Sequence, residues 1–187
     1  MFVPLVVVIL ATIAAVVRGG SLDNLARTRF AWTWVLFAGL FIQIVFDLWA
    51  PITVGRGVGL AITLFSIACV LFFLLQNRDL PGTLVASVGL AMNALVISAN
   101  GAMPVSLSAM RTAGIGAESF GQLGIKHELM NSATRIRWLG DIFPIPDTEK
   151  IFSAGDVVLA VGLGILVYSC TRSSIGERFV TPPSTSG

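Results

Sequence analysis

The sequence predicts an all-α protein: a bundle of five transmembrane helices with a helical extracytoplasmic cap formed by the loop between the fourth and fifth. Three observations carry that expectation. Hydrophobic residues make up 55% of the 187 and charged residues 12%, about half the charge of a soluble domain. The mean hydropathy is +0.87. The apolar residues also fall in five long runs, which a water-soluble core does not need. The same composition excludes a disordered chain and a secreted disulfide scaffold. A net charge of +2 is too small for the basic stripe of a nucleic-acid binder.

A hydrocarbon core about 30 Å thick takes roughly 20 helical residues at about 1.5 Å each. The five runs are Met1 to Val17, Phe30 to Trp49, Gly57 to Leu75, Pro81 to Ala99 and Ile151 to Cys170. None alternates as a barrel strand would, so each reads as a helix apolar all round. No Lys or Arg precedes Arg18 and no A-x-A site follows the first run, so it reads as a retained anchor, not a cleaved signal. Residues 1–180 are expected to form one membrane domain, with 181–187 a disordered tail.

Orientation follows from the short loops. With the N-terminus outside, the inner side holds Arg18, Arg27, Arg29, Arg78, Arg172 and Arg178, against Arg56 in the one short outer loop. The positive-inside rule therefore expects N-out and C-in, in a bacterial cytoplasmic membrane. Cys69 and Cys170 sit at different depths, so no disulfide is expected. Small residues supply packing faces: Gly55, Gly57 and Gly59 in the third helix, Ser87, Gly89, Ala91 and Ala94 in the fourth, Gly162 and Gly164 in the fifth. The outer loop, 101–150, is too long for structureless coil. Ser106 is placed to cap a helix running to Ala113 and stopped by Gly114. Further helices are expected over Glu118 to Leu123 and Glu128 to Leu139.

The polar residues that could act gather toward one face. Gln43 and Asp47 are i, i+4 on the second helix. Asn93 and Asn100 share a face of the fourth. His127, Asp141 and Asp156 follow in the loop and at the start of the fifth helix. Each has a structural explanation beside a chemical one. Ser153-Ala-Gly-Asp156 matches a capping box, yet an ionisable group near the boundary of a span is also a candidate site. Asp141, before Pro144 and Pro146, suits a turn carboxylate. Asn100-Gly101 suits a helix stop, and Asn93 suits interhelical hydrogen bonding. Arg135 and Arg137 beside Trp138 suit an interfacial anchor or a lipid phosphate contact.

Several stretches resemble an uncharacterised family of small bacterial multi-pass membrane proteins, a domain of unknown function. They are Arg18-Gly-Gly-Ser-Leu-Asp-Asn-Leu-Ala-Arg27, Asn100-Gly-Ala-Met-Pro-Val-Ser106, Leu139-Gly-Asp-Ile-Phe-Pro-Ile-Pro146 and Phe152-Ser-Ala-Gly-Asp156. That likeness implies a cell-envelope membrane protein and brings no activity. A weaker one is to the lipoprotein signal peptidases, whose Asn-x-Gly, Gly-Asn-x-x-Asp-Arg and Phe-Asn-x-Ala-Asp motifs are similar in order to Asn100-Gly101, Gly140-Asp141 and Phe152 to Asp156. It implies a catalytic Asp141/Asp156 dyad sharing one proton. The Asn before and the Arg after the first Asp are absent here, and Ser153 stands for the last motif's Asn.

The residues contain no strong nucleophile–base set, no metal spacing, no P-loop and no dinucleotide fingerprint. The expectation is a non-enzymatic accessory subunit or a lipid- or partner-binding module, needing no cofactor and no metal. Its partners would be the lipid bilayer, other membrane subunits and lipid head groups, through Asn93, Asn100, His127, Arg135 and Arg137. The alternative is a membrane-embedded aspartyl-type hydrolase using Asp141 and Asp156. A transporter is third.

Overall fold

The structure, a computed structural model, describes residues 2–49, 55–116 and 126–172. It is mostly helical. Helix α1 spans Phe2–Val17, α2 Leu22–Arg27, α3 Thr33–Trp49, α4 Arg56–Gln76 and α5 Thr83–Asn100. Strand β1 (Met103–Val105), helix α6 (Leu107–Thr112), strands β2 (His127–Leu129), β3 (Asp141–Ile145) and β4 (Lys150–Ser153) follow, and α7 (Ala154–Arg172) is the last element among the described residues. Three helices, α4, α5 and α7, are long and apolar enough to cross a membrane; α1 and α3 are apolar but shorter.

Local chemistry sets the helix ends. The Ser21 hydroxyl accepts from the Asp23 N–H and opens α2, relieving one of the unpaired amides of a first turn. Gly101, at φ +81°, stops α5 as its N–H bonds Ile97, since glycine enters the left-handed region without strain. Asn77 joins α4 to the start of α3. Its carboxamide accepts from the Ala31 N–H at 2.8 Å and donates to the Ala31 and Phe73 carbonyls.

The helices pack through small residues. Along the α5–α7 seam a Cβ on Gly89 would strike Gly155 and Leu159 backbone, and one on Gly162 would strike Ala86. Backbones this close trade side-chain volume for van der Waals contact, the main association force where lipid is as apolar as leucine. Phe73, Leu74, Ala86, Leu90 and Leu159 form the buried centre. Gly57 meets nothing, so not every glycine read as a packing residue serves as one. Large apolar side chains face outward instead, among them Trp34, Phe37 and Phe41.

The segment between α5 and α7 corrects the all-α expectation. It holds a four-stranded sheet in the order β2-β1-β3-β4. Strand β1 pairs parallel with β2 and β3, and β3 pairs antiparallel with β4. Helix α6 forms where expected, with Ser106 capping the Ala109 N–H. The helix expected over Glu128 to Leu139 does not. Asn131 Oδ1 takes the Ala133 N–H and Thr134 Oγ1 takes the Asn131 N–H, so side chains claim amides that a helix would need. Ile136 then turns left-handed at φ +51°, leaving one 3-10 turn, Arg137–Leu139. The helix start expected at Ile151 moves to Ala154, because Lys150–Ser153 is held as a strand against β3. The helix expected over Glu118 to Leu123 and the tail at 181–187 lie outside the described residues.

Candidate functional site

Helix α5 carries Asn93 past the first turn of α7, and Gly155 leaves room for its carboxamide. The three polar side chains there close a ring. Ser153 N–H donates to Asp156 Oδ2 at 3.1 Å, and Asp156 N–H donates to Ser153 Oγ at 3.1 Å. This is the reciprocal capping box. The Ser153 hydroxyl donates to Asn93 Oδ1 at 2.9 Å, and Asn93 Nδ2 returns to Asp156 Oδ1 at 2.8 Å. Both oxygens of Asp156 are thereby engaged. Ser153, fully buried, is the hub, and sequence reasoning named it only as a cap. Nothing in the sequence paired it with a residue sixty positions away.

Strand pairing brings the second carboxylate to the same place. Asp141 opens β3 directly opposite Ser153 and is 7% exposed. Burial, and then repulsion from Asp156, push its carboxyl from 3.8 up to about 7. Loss of water disfavours the charged form, and a nearby like charge adds to that. His127, on the far strand β2, brings Nε2 to 3.8 Å from Asp141 Oδ2 and is itself half-exposed. Asn93, His127, Asp141, Ser153 and Asp156 thus form one cluster where the sheet meets α5 and α7.

The other candidate residues lie beside that cluster, outside it. Asn100 receives the Arg135 N–H at 2.7 Å and donates to the Arg135 carbonyl at 3.0 Å and to Val96, so it fastens the loop to the end of α5. A cleft of about 290 Å³ next to it is lined by Asn100, Glu128, Asn131, Thr134 and Arg135 among others, and by neither aspartate. Arg137 donates to the Asn131 carbonyl, and Arg135, Arg137 and Trp138 are exposed. Gln43 is on α3; the side chain of Asp47 lies outside the described set. Glu128 meets Arg56 at 3.4 Å, and Lys126 sits 5.4 Å over the Phe46 ring, tying the sheet to α4 and α3. Both cysteines are free thiols. No group of three or more metal-ligating side chains occurs among the described residues.

This is a helical protein with three helices of membrane-crossing length and composition, and with Asn93, Asp141 and Ser153 buried together where a small sheet meets α5 and α7. The chain belongs to a family of unknown function, DUF5317, whose model matches residues 27–168. No curated protein and no solved structure gives a significant match.

Proposed function

We propose that the chain is a five-span protein of the bacterial cytoplasmic membrane, serving as an accessory subunit that binds its partner through the sheet-bearing end, and not as a catalyst. In this reading α1, α3, α4, α5 and α7 all cross. Support comes from how the ends meet. Ser21 N–H bonds Thr171 carbonyl and Asn77 clasps Ala31, so the ends bearing Arg18, Arg29, Arg78 and Arg172 belong to one side. The sheet, Arg56 and Asn100 belong to the other. Positive-inside asymmetry then favours the sheet outside and the arginine-rich end in the cytosol.

The observation that carries the non-catalytic part is the closed ring. Asp156 spends both oxygens on Asn93 and Ser153, and Asp141 is covered by the sheet. What this end offers outward is the exposed Arg135, Arg137 and Trp138, residue types enriched at binding hot spots. Purified in mild detergent, the protein is expected to retain a stoichiometric membrane partner, lost on Arg135→Ala with Arg137→Ala. A solitary monomer would overturn this.

One observation favours the hydrolase as a second reading. The β3–β4 register sets Asp141 opposite Ser153, whose capping box holds Asp156, and a carboxyl with a pKa of about 7 would be partly protonated near neutrality. Such a pair could divide the acid and base roles. Its test is turnover of a lipid-linked or membrane-embedded peptide substrate that vanishes in both Asp141→Asn and Asp156→Asn. The direct glycine-to-backbone packing of α5 on α7 gives a transporter no path along that seam.

A further inference from the structure

The end of the molecule opposite the sheet carries a feature that the accessory reading does not use. A groove of about 510 Å³ runs between α1 and α7, walled by Val7, Leu10, Ala11 and Ala14 on one helix and Gly164 and Tyr168, with two aliphatic neighbours, on the other. Gly164 sets its floor, letting α1 pack closely on α7, since a Cβ there would meet the Val7 side chain at 2.9 Å. Val7 precedes Arg18 by eleven residues, and Val161 precedes Arg172 by eleven. That is about 16 Å of helix, close to half of a hydrocarbon core of about 30 Å. The groove is therefore one leaflet deep.

Its mouth is cationic. Arg18 Nη1 donates to the Tyr168 hydroxyl at 3.5 Å, and Arg172 Nη1 donates to the Arg18 carbonyl at 3.2 Å. Both arginines are exposed, and these partners, among the described residues, are neutral. Neither has a carboxylate within 4.0 Å among the described residues. Two guanidiniums gathered around one phenol repel each other until an anion neutralises them. Planar guanidinium forks match phosphate oxygens.

We propose that the α1–α7 groove is a binding site for one anionic phospholipid, with an acyl chain along Val7 to Ala14 and the phosphate on Arg18 and Arg172. A second copy of this chain suits the groove less well, because a symmetric contact would bring four guanidiniums together. On the orientation given above, this end faces the leaflet whose anionic lipids attract juxtamembrane arginines. The proposal stands on the groove and the arginine pair, and does not need the accessory reading to hold.

The test is native mass spectrometry of the detergent-purified full chain, titrated with dioleoyl phosphatidylglycerol or dioleoyl phosphatidylcholine. Two arginines at an anionic surface, each contributing a factor of about five, give the glycerol lipid a preference of roughly 25-fold. Arg18→Gln with Arg172→Gln should abolish the preference, and the Lys pair should keep most of it. Ala14→Phe, which fills the groove, should weaken both lipids. Equal binding of the two lipids by the wild type, or a preference that survives the Gln pair, overturns the site. So does a wild-type dimer that Ala14→Cys cross-links through the groove. If the Gln pair does not fold, the comparison of lipids on the wild type and the Ala14→Phe result still decide.

Discussion

Asp141→Asn should remove a pH dependence from the stability of this protein. In the fold the carboxyl holds its proton up to about pH 7, because it is buried and faces Asp156; unfolded, it would lose it near 3.8. Between those values the folded state binds the extra proton, so stability falls as pH rises through the window and is flat above it. At about 1.36 kcal/mol per tenfold change in proton affinity, the loss reaches up to about 4 kcal/mol. For a chain of this size that is roughly a 10 °C fall in Tm. Asparagine keeps the shape of the protonated acid and cannot ionise. Thermal unfolding in mild detergent, followed from pH 4.5 to 8.5, should show the wild type losing Tm toward neutrality. The variant should lose much less, and overtake the wild type above pH 7. A variant whose Tm tracks the wild type at every pH, or falls below it at pH 8, would refute the assignment of a strained, buried Asp141.

Three further outcomes follow from the same geometry. Asn93→Ala strips the Asp156 carboxylate and the Ser153 hydroxyl of a partner at once; it should destabilise by about 2–3 kcal/mol, read as a lower Tm, more than Asn100→Ala at the wetter rim. Gly162→Leu places a side chain against Ala86 backbone and should cost about 3 kcal/mol or more, whereas Gly57→Leu, in open space, should leave the melting curve unchanged. Asn77→Ala removes three hydrogen bonds at the α3–α4 junction and should cost about 1–3 kcal/mol, with faster amide exchange at Ala31.

The long helices were legible because their signal is redundant. Arg56–Gln76 is apolar over its whole length, and moving its ends by a residue changes nothing in the pattern. Caps were legible because they are local: Ser106, Asn100-Gly101 and the Ser153–Asp156 box each act within four residues. The sheet was not. Strands β1 and β2 have three residues each, too few to show alternation, and β1 pairs with partners more than twenty residues away. The candidate site inherits that division. Asp156 and Asn93 could be singled out as polar groups in apolar helices, but their meeting depends on how α5 and α7 align. The meeting of Asp141 with Ser153 depends on a strand register that composition does not encode. No motif joins Arg18 to Tyr168 and Arg172, which lie 150 and 154 residues further along the chain.

The polar ring has a task that the glycine seam cannot perform. Gly82, just before α5, and Gly89 within it are seven residues apart; in α7, Gly155 and Gly162 are also seven apart. In the observed alignment Gly82 faces Gly162 and Gly89 faces Gly155. Sliding one helix by seven residues, about 10 Å, would set Gly89 against Gly162 and restore a close backbone approach. Packing of small residues therefore leaves a second register open, with one glycine pair in place of two. The ring does not repeat at that interval. A slide would carry Asn93 off the first turn of α7 and leave Asp156 Oδ1 and the Ser153 hydroxyl without their partner, while the Ser153 N–H stays on Oδ2. Buried polar atoms left unpaired cost about 1–3 kcal/mol each. Asn93, Ser153 and Asp156 thus select one register of α5 on α7, and with it the position of the sheet that covers Asp141.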